Sequence, residues 1–296
     1  MRELLREADK DRYLSSLFAP ADKRPASSCA LCPSLGNILR ARQGARADAG
    51  EIRMQWWMDA LDGSPCGDAK ANPVFCAVHD TITRFGLPVT AFVNMIDARI
   101  FDLYDDPMPT MGDLVGYAGE TCSAVMQLAA IILNDGEQPC TADIAGHAGV
   151  ACTMAYVLWN LPKHAARGQL YIPLDILEAN GACREDVISR EATPEVLQAL
   201  KDFHEAAVDH VSAVRCYADQ IPRKAAVAFL PTALVRHYLA ACGKVNDPLN
   251  EQARLPQWRR QWTLWRAARH AGKSLLRQLL SSNPGSSYSA AAINPS

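Results

Sequence analysis

The 296-residue chain lacks an excess of charge of either sign. Its 30 Lys and Arg stand against 32 Asp and Glu, for a net charge of −2. That balance gives no electrostatic case for a nucleic-acid partner. Long apolar runs are missing as well. The longest, AVMQLAAIIL (124–133), is about half of the roughly 18 to 20 residues that span a bilayer, so no transmembrane helix is expected. The opening MRELLREADKDRYLSSLF is charged from its second residue and has no apolar h-region. It therefore predicts no secretory signal peptide, and its acidic residues argue against a transit peptide. The 10 cysteines are irregularly spaced. They read as reduced thiols in a cytoplasmic compartment, with the membrane surface as the further option. Strand-type alternation is scarce, and no internal repeat is present.

Helical periodicity is abundant. Residues 2–18, 51–61, 73–85 and 88–105 place apolar side chains at mostly helical spacing, with breaks at Gly86 and Pro88. Met111 to Leu133 reads as one long helix, with Asp113 in its first turn and Asn134-Asp135-Gly136 as its stop. A helix over 141–160 is expected to end at Pro162. Further helices are expected over 194–220, 223–242 and 256–271, with Pro194 near the start of the first. The expectation is an all-α fold in a single domain over 1–272, with 273–296 as a disordered tail. Residues 26–49 break the pattern. One reading frame over, permitted codons can spell PHLRALYALRSEISSVRDKVREPMPG, an amphipathic helix. That points to compensating single-base shifts near residues 25 and 50.

Several stretches resemble the squalene/phytoene synthase family of head-to-head prenyltransferases. They are DRYLSSLFAPADKRP (11–25), GEIRMQWWMDAL (50–61), IDARIFDLYDD (96–106), DLVGYAGETCSAV (113–125), ARGQLYIPLDIL (166–177) and IPRKAAVAFLP (221–231). RMQWW, QLYIPLDIL and LPQWRRQW (255–262) look most like a divergent branch. That branch holds bacterial proteins and a mitochondrial complex I assembly factor. The resemblance implies a terpenoid-synthase-like helical bundle around a central cavity.

The family's chemistry ionises an allylic diphosphate with Mg²⁺, a hard cation that takes carboxylate and phosphate oxygens. Two helices each supply aspartates four residues apart. Alignment on Gly168, Tyr171 and Pro173 puts Asn160 and His164 at the two aspartate positions of the second motif, with Trp159 where an arginine usually precedes them. Neither Asn160 nor His164 supplies an anionic oxygen, so no metal site is expected there. His164 reads better as a partly solvated loop residue after Pro162 than as a ligand. The first motif should lie within 26–49, and even the restored frame offers SSVRD where active members carry several aspartates. Asp102 aligns with a family aspartate on the cavity side and is expected as a buried acceptor. Tyr117 matches a cavity tyrosine whose ring can stabilise a cation, with core packing as the plainer reading. Glu120 stands where another tyrosine is common. Lys163 and Arg167 can bind phosphate without metal, although a solvated basic loop is the plainer reading. The candidate site is therefore Asp102, Tyr117, Asn160, His164, Arg167 and Tyr171.

Two function classes follow from the resemblance. The first is a non-catalytic relative without a cofactor, acting by binding a prenyl lipid, a prenyl diphosphate or a protein partner at a membrane. The second is a Mg²⁺-dependent transferase that joins farnesyl or geranylgeranyl diphosphates head to head in squalene, phytoene, hopanoid or carotenoid synthesis. Other signals are weaker. In DLYDD, Asp105 and Asp106 read as a solvated helix end. The CxxC at Cys29 and Cys32 lacks a second ligand pair. Trp258, Trp262 and Trp265 share one helical face near Arg259, Arg260, Arg266 and Arg269. Burial of the tryptophans in the core is the favoured expectation, and a membrane-surface or partner-docking helix is the alternative.

Overall fold

The computed structural model describes residues 5–6, 9–30, 47–63 and 69–270. No strand occurs among them, and the chain is all-α. The longer helices are Ala47–Leu61, Pro73–Phe85, Val89–Ala98, Met111–Leu133, Ala142–Ala165, Pro194–Tyr217, Thr232–Cys242 and Gln257–His270.

Local chemistry sets their ends. Asn72 accepts from the N–H groups of Val74 (2.9 Å) and Phe75 (3.3 Å), with Pro73 in the first turn. The same helix stops where Gly86 takes φ +60. Thr110 and Asp113 close a reciprocal capping box, each accepting the other's backbone N–H at 3.1 Å. The stop after Leu133 puts Asp135 at φ 64 and Gly136 at φ 91. Asp135 is then held by Lys23 (2.5 Å) and Lys224 (2.9 Å), which lower its pKa to about 2.

The Ala142–Ala165 helix runs through the largest apolar cluster, packed on Pro194–Tyr217 and Thr232–Cys242. Its small residues Ala145, Ala148, Gly149, Ala151 and Ala155 are buried, which lets neighbouring backbones approach closely. The closest approach is at Gly149, against a π-helical turn at Gly119–Ser123 inside the Met111–Leu133 helix. Ser123 Oγ donates to the Gly146 carbonyl at 3.2 Å across this contact. A second cluster forms around Phe75, Phe92, Met95 and Trp57. Burying each such side chain contributes about 1.5–3 kcal/mol.

Several expectations need correction. The Ala142–Ala165 helix does not stop at Pro162. A proline removes one helical donor, but Leu161, Pro162 and Ala165 are all buried and packing carries the helix through. The 88–105 pattern divides into Val89–Ala98 and a 3₁₀ turn, Arg99–Leu103. The 223–242 pattern likewise divides, into a 3₁₀ turn at Ala225–Phe229 and a helix from Thr232, on either side of Pro231. Residues 24–30 are helical despite their weak periodicity, with Ala26 and Ser27 buried. Residues 31–46 and 271–296 lie outside the described residues, as does Cys32 of the CxxC.

No transmembrane helix was expected, yet three stretches are long and apolar enough to cross a membrane: Met111–Leu133, Ala142–Ala165 and Ala225–Cys242. Counting only uninterrupted apolar runs missed them, because Ala, Gly and Thr lower the charge density without forming a greasy block. Here their apolar windows are 56%, 72% and 61% buried inside the fold. The tryptophans also differ from expectation. Trp57 is in the core, but Trp258, Trp262 and Trp265 are exposed, because Leu264 and Ala267 occupy the inward side of their helix.

Gly149 gives a sharp packing test. A Cβ there would lie 2.5 Å from the backbone N of Ser123 and 2.7 Å from its Cα, while one at Gly146 would meet nothing within 4 Å. Gly149→Ala is expected to cost about 1–3 kcal/mol in urea unfolding. Gly146→Ala is expected to be neutral or to gain about 0.5–1 kcal/mol.

Candidate functional site

The 3₁₀ turn Arg99–Leu103 has about three residues per turn, so its first and fourth side chains stack on one side. That places Arg99 directly beside Asp102, with Nη1 donating to Oδ2 at 3.1 Å. Asp102 is 4% exposed and is the only buried carboxylate among the described residues. A lone buried carboxylate is costly unless donors surround it. Three side chains do so. Tyr117 Oη donates towards Oδ1 and Oδ2, at 3.0 Å from each. Tyr171 Oη donates to Oδ1 at 2.7 Å. Arg99 Nη1 lies 2.7 Å from Tyr117 Oη and donates to it as well. Burial, acting with Asp102, raises the Tyr117 hydroxyl well above the ordinary tyrosine pKa, so it stays protonated and able to donate.

An aromatic wall surrounds the carboxylate. Phe101 lies 6.1 Å from Tyr117 and 6.0 Å from Tyr171, centroid to centroid. The His164 ring is 4.8 Å from Tyr171 and 6.1 Å from Tyr156. His164 is thus buried on the last turn of Ala142–Ala165, not partly solvated in a loop. The helix continues past Pro162 and turns this residue inward. Asn160, one turn earlier, is also buried; its Nδ2 donates to the Tyr156 carbonyl at 3.1 Å, and its Oδ1 lies 3.5 Å from Lys163 Nζ. Trp159 packs edge-on against Tyr238 at 4.7 Å.

The fold therefore brings together Asp102, Tyr117, Tyr171 and His164, with Asn160 on the same helix. It does not bring in Arg167, which is exposed in the turn after that helix. Glu120, Asp105 and Asp106 are exposed as well. Arg99 was missed by the sequence reading. Its signal was available: it precedes Asp102 by three residues in ARIFD, and a 3₁₀ turn converts that spacing into a contact.

A second, partly buried group adjoins the first. Arg12 Nη2 donates to Cys122 Sγ at 3.0 Å, and Arg12 also pairs with Asp9 at 3.4 Å. Cys152 faces Cys122 from the neighbouring helix. That thiol, opposed by burial and aided by Arg12, pulls Cys122 from the ordinary 9.0 to about 6, while Cys152 holds its proton well above the usual range.

The described residues at the second-motif positions do not fit Mg²⁺ as ligands. The cation wants oxygen ligands in near-octahedral array, and the second-motif positions offer an amide beside a lysine and an imidazole. A carboxylate has about four acceptor sites. Those of Asp102 face Arg99, Tyr117 and Tyr171. No group of three His, Cys, Asp or Glu suited to a metal occurs among the described residues.

The squalene/phytoene synthase family profile matches residues 5–266. The chain belongs to that family. Complex I assembly factor 6 of Rattus norvegicus is 27% identical over 244 residues, covering 82% of this chain and 73% of the relative. The Homo sapiens protein of that name is 28% identical over 245 residues, with the same coverage of 82% and 73%. A phytoene synthase of Thermus thermophilus is 25% identical over 196 residues, 64% of each chain. Among solved structures, squalene synthase HpnC of Alicyclobacillus acidocaldarius superposes with a TM-score of 0.67 at 23% identity, covering 81% of this chain and 90% of its own. A dehydrosqualene synthase superposes at 0.69 and 14% identity, covering 91% and 94%. The fold is thus that of the family's terpenoid-synthase-like enzymes.

Two predictions follow from this geometry. Asp102→Asn leaves the Arg99 charge without its carboxylate, and urea unfolding is expected to show a loss of about 3–5 kcal/mol. Tyr171→Phe removes one donor and is expected to cost about 1.5–3 kcal/mol. Cys122 predicts a pH effect. Its pKa is lower folded than unfolded, so the associated stability is complete above the ordinary value of 9.0 and is lost as pH falls through about 6. Unfolding measured at about pH 8 and about pH 5.5 should show this fall in the native chain and a smaller one in Cys122→Ala.

Proposed function

We propose that this member of the squalene/phytoene synthase family is a non-catalytic protein that assists the assembly of a respiratory NADH dehydrogenase complex. The observation that carries this reading is the state of Asp102. The single buried carboxylate of the described site is surrounded by the protein's own donors, and Asn160 and His164 replace the expected metal-binding aspartates. Similarity to complex I assembly factor 6 over 82% of the chain supports the assembly role. On this reading the aromatic wall of Phe101, Tyr117, Tyr171 and His164 serves as a rigid scaffold, with a prenyl lipid as the ligand class it would suit.

A second reading keeps the enzyme: head-to-head condensation of two prenyl diphosphates. The match to a phytoene synthase over 64% of the chain favours it. Pyrophosphate release from farnesyl and geranylgeranyl diphosphate with Mg²⁺ separates the two. The expected result is no release above the protein-free control. Turnover on the order of 1 s⁻¹ would establish the enzyme instead. Disrupting the gene in its host is expected to lower the amount of fully assembled NADH dehydrogenase complex on native gels. Unchanged assembly would remove the assembly role.

A further inference from the structure

The Gln257–His270 helix reads QWRRQWTLWRAARH, with four arginines and no acidic residue. Leu264 and Ala267 form its inward side, buried against Leu230, Ala233 and Leu234. Arg260 is engaged inward too, with Nε donating to Asp11 Oδ1 at 2.8 Å. This pair fixes how the helix is rolled about its own axis. At 3.6 residues per turn, Trp258, Trp262 and Trp265 fall within about 60° of one another, roughly opposite Leu264 and Ala267. They are 64%, 53% and 39% exposed.

The stripe is ordered by its own contacts. Trp262 and Trp265 stack at 4.9 Å. The Arg269 guanidinium lies 4.7 Å from the Trp265 ring centroid, and that of Arg259 lies 5.6 Å from Trp258. Arg259, Arg266 and Arg269 are exposed, and none forms an ion pair among the described residues. Single exposed apolar side chains are common, but three indoles aligned on one outward face mark an interaction surface.

Charge selects the occupant. An apolar protein groove would cover the indoles and leave three guanidiniums without anions. A second copy, face to face, would set arginine against arginine. An anionic bilayer satisfies both: indoles rest at headgroup depth with their N–H wet, and guanidiniums meet lipid phosphates. We propose that the Gln257–His270 helix docks the protein on the surface of an anionic phospholipid bilayer, with Trp258, Trp262 and Trp265 entering the headgroup layer and Arg259, Arg266 and Arg269 facing lipid phosphate. The helix lies along the surface in this arrangement and does not span it.

The test is co-sedimentation of the full chain with vesicles of phosphatidylcholine alone and with about one-third phosphatidylglycerol, alongside tryptophan fluorescence. Binding is expected to be roughly tenfold or more tighter on the anionic vesicles and to weaken as salt rises. W258Q/W262Q/W265Q should lose binding to both vesicle types and the blue shift in emission. R259Q/R266Q/R269Q should lose the preference for anionic lipid. All six side chains are exposed, so urea midpoints of both variants should match the native chain. The salt dependence of the native chain tests the idea even if a variant misfolds. Equal weak binding to both vesicles, or binding untouched by either triple substitution, would overturn the proposal. A lipid-free dimer that the tryptophan variant dissociates would assign the stripe to a second copy instead.

Discussion

A buried carboxylate needs a cation or a shell of donors, and Asp102 has both from within the protein. Arg99 supplies the charge from three residues away in the same 3₁₀ turn. Tyr117 and Tyr171 supply hydroxyls from two other parts of the chain, a long helix and the loop after Ala142–Ala165. The interaction therefore ties three sequence-distant segments to one point. The tyrosine rings are held by their hydroxyls, and their faces in turn set the positions of Phe101 and His164. The same bonds that order the wall engage both oxygens of the carboxylate.

The neighbouring Arg12 follows the same logic with a different anion. Its half-buried guanidinium stays charged, and part of its compensation comes from a thiol whose proton affinity has dropped. Cys152 stands beside Cys122 on the facing helix and favours its thiolate, and that helix is close because Gly149 admits Ser123. Small-residue packing thus controls an electrostatic pairing one turn away. In both places, cations that would suit an anionic substrate are balanced by protein groups.

Much of this was readable from the chain. Periodicity located the long helices, because apolar residues at helical spacing must face a core, and Asp113 in a first turn and Pro194 near a first position marked two of their starts. Alignment on Gly168, Tyr171 and Pro173 singled out Asn160 and His164, and both are buried on the Ala142–Ala165 helix. Other features needed the fold. Pro162 carries a helix-ending signal that burial of its neighbours overrides. The spacing of Arg99 and Asp102 is visible in ARIFDL, but the 3₁₀ geometry that stacks them came from the fold. The roll of the last helix depends on Asp11, about 250 residues earlier in the chain. Without that contact the choice between Leu264 and the tryptophans as the inward face cannot be made from periodicity, since both stripes are apolar.

The central claim is that the carboxylate of this site is already satisfied and holds no divalent ion. Mn²⁺ substitutes for Mg²⁺ in oxygen-ligand sites and reports its bound state by paramagnetic resonance. Titration of Mn²⁺ into the full chain, in the presence of a non-hydrolysable farnesyl diphosphate analogue, tests the claim most directly. The account predicts that the free-ion signal persists as in a protein-free control. Stoichiometric loss of that signal in the native chain, abolished by Asp102→Asn in a variant that remains folded, would contradict it.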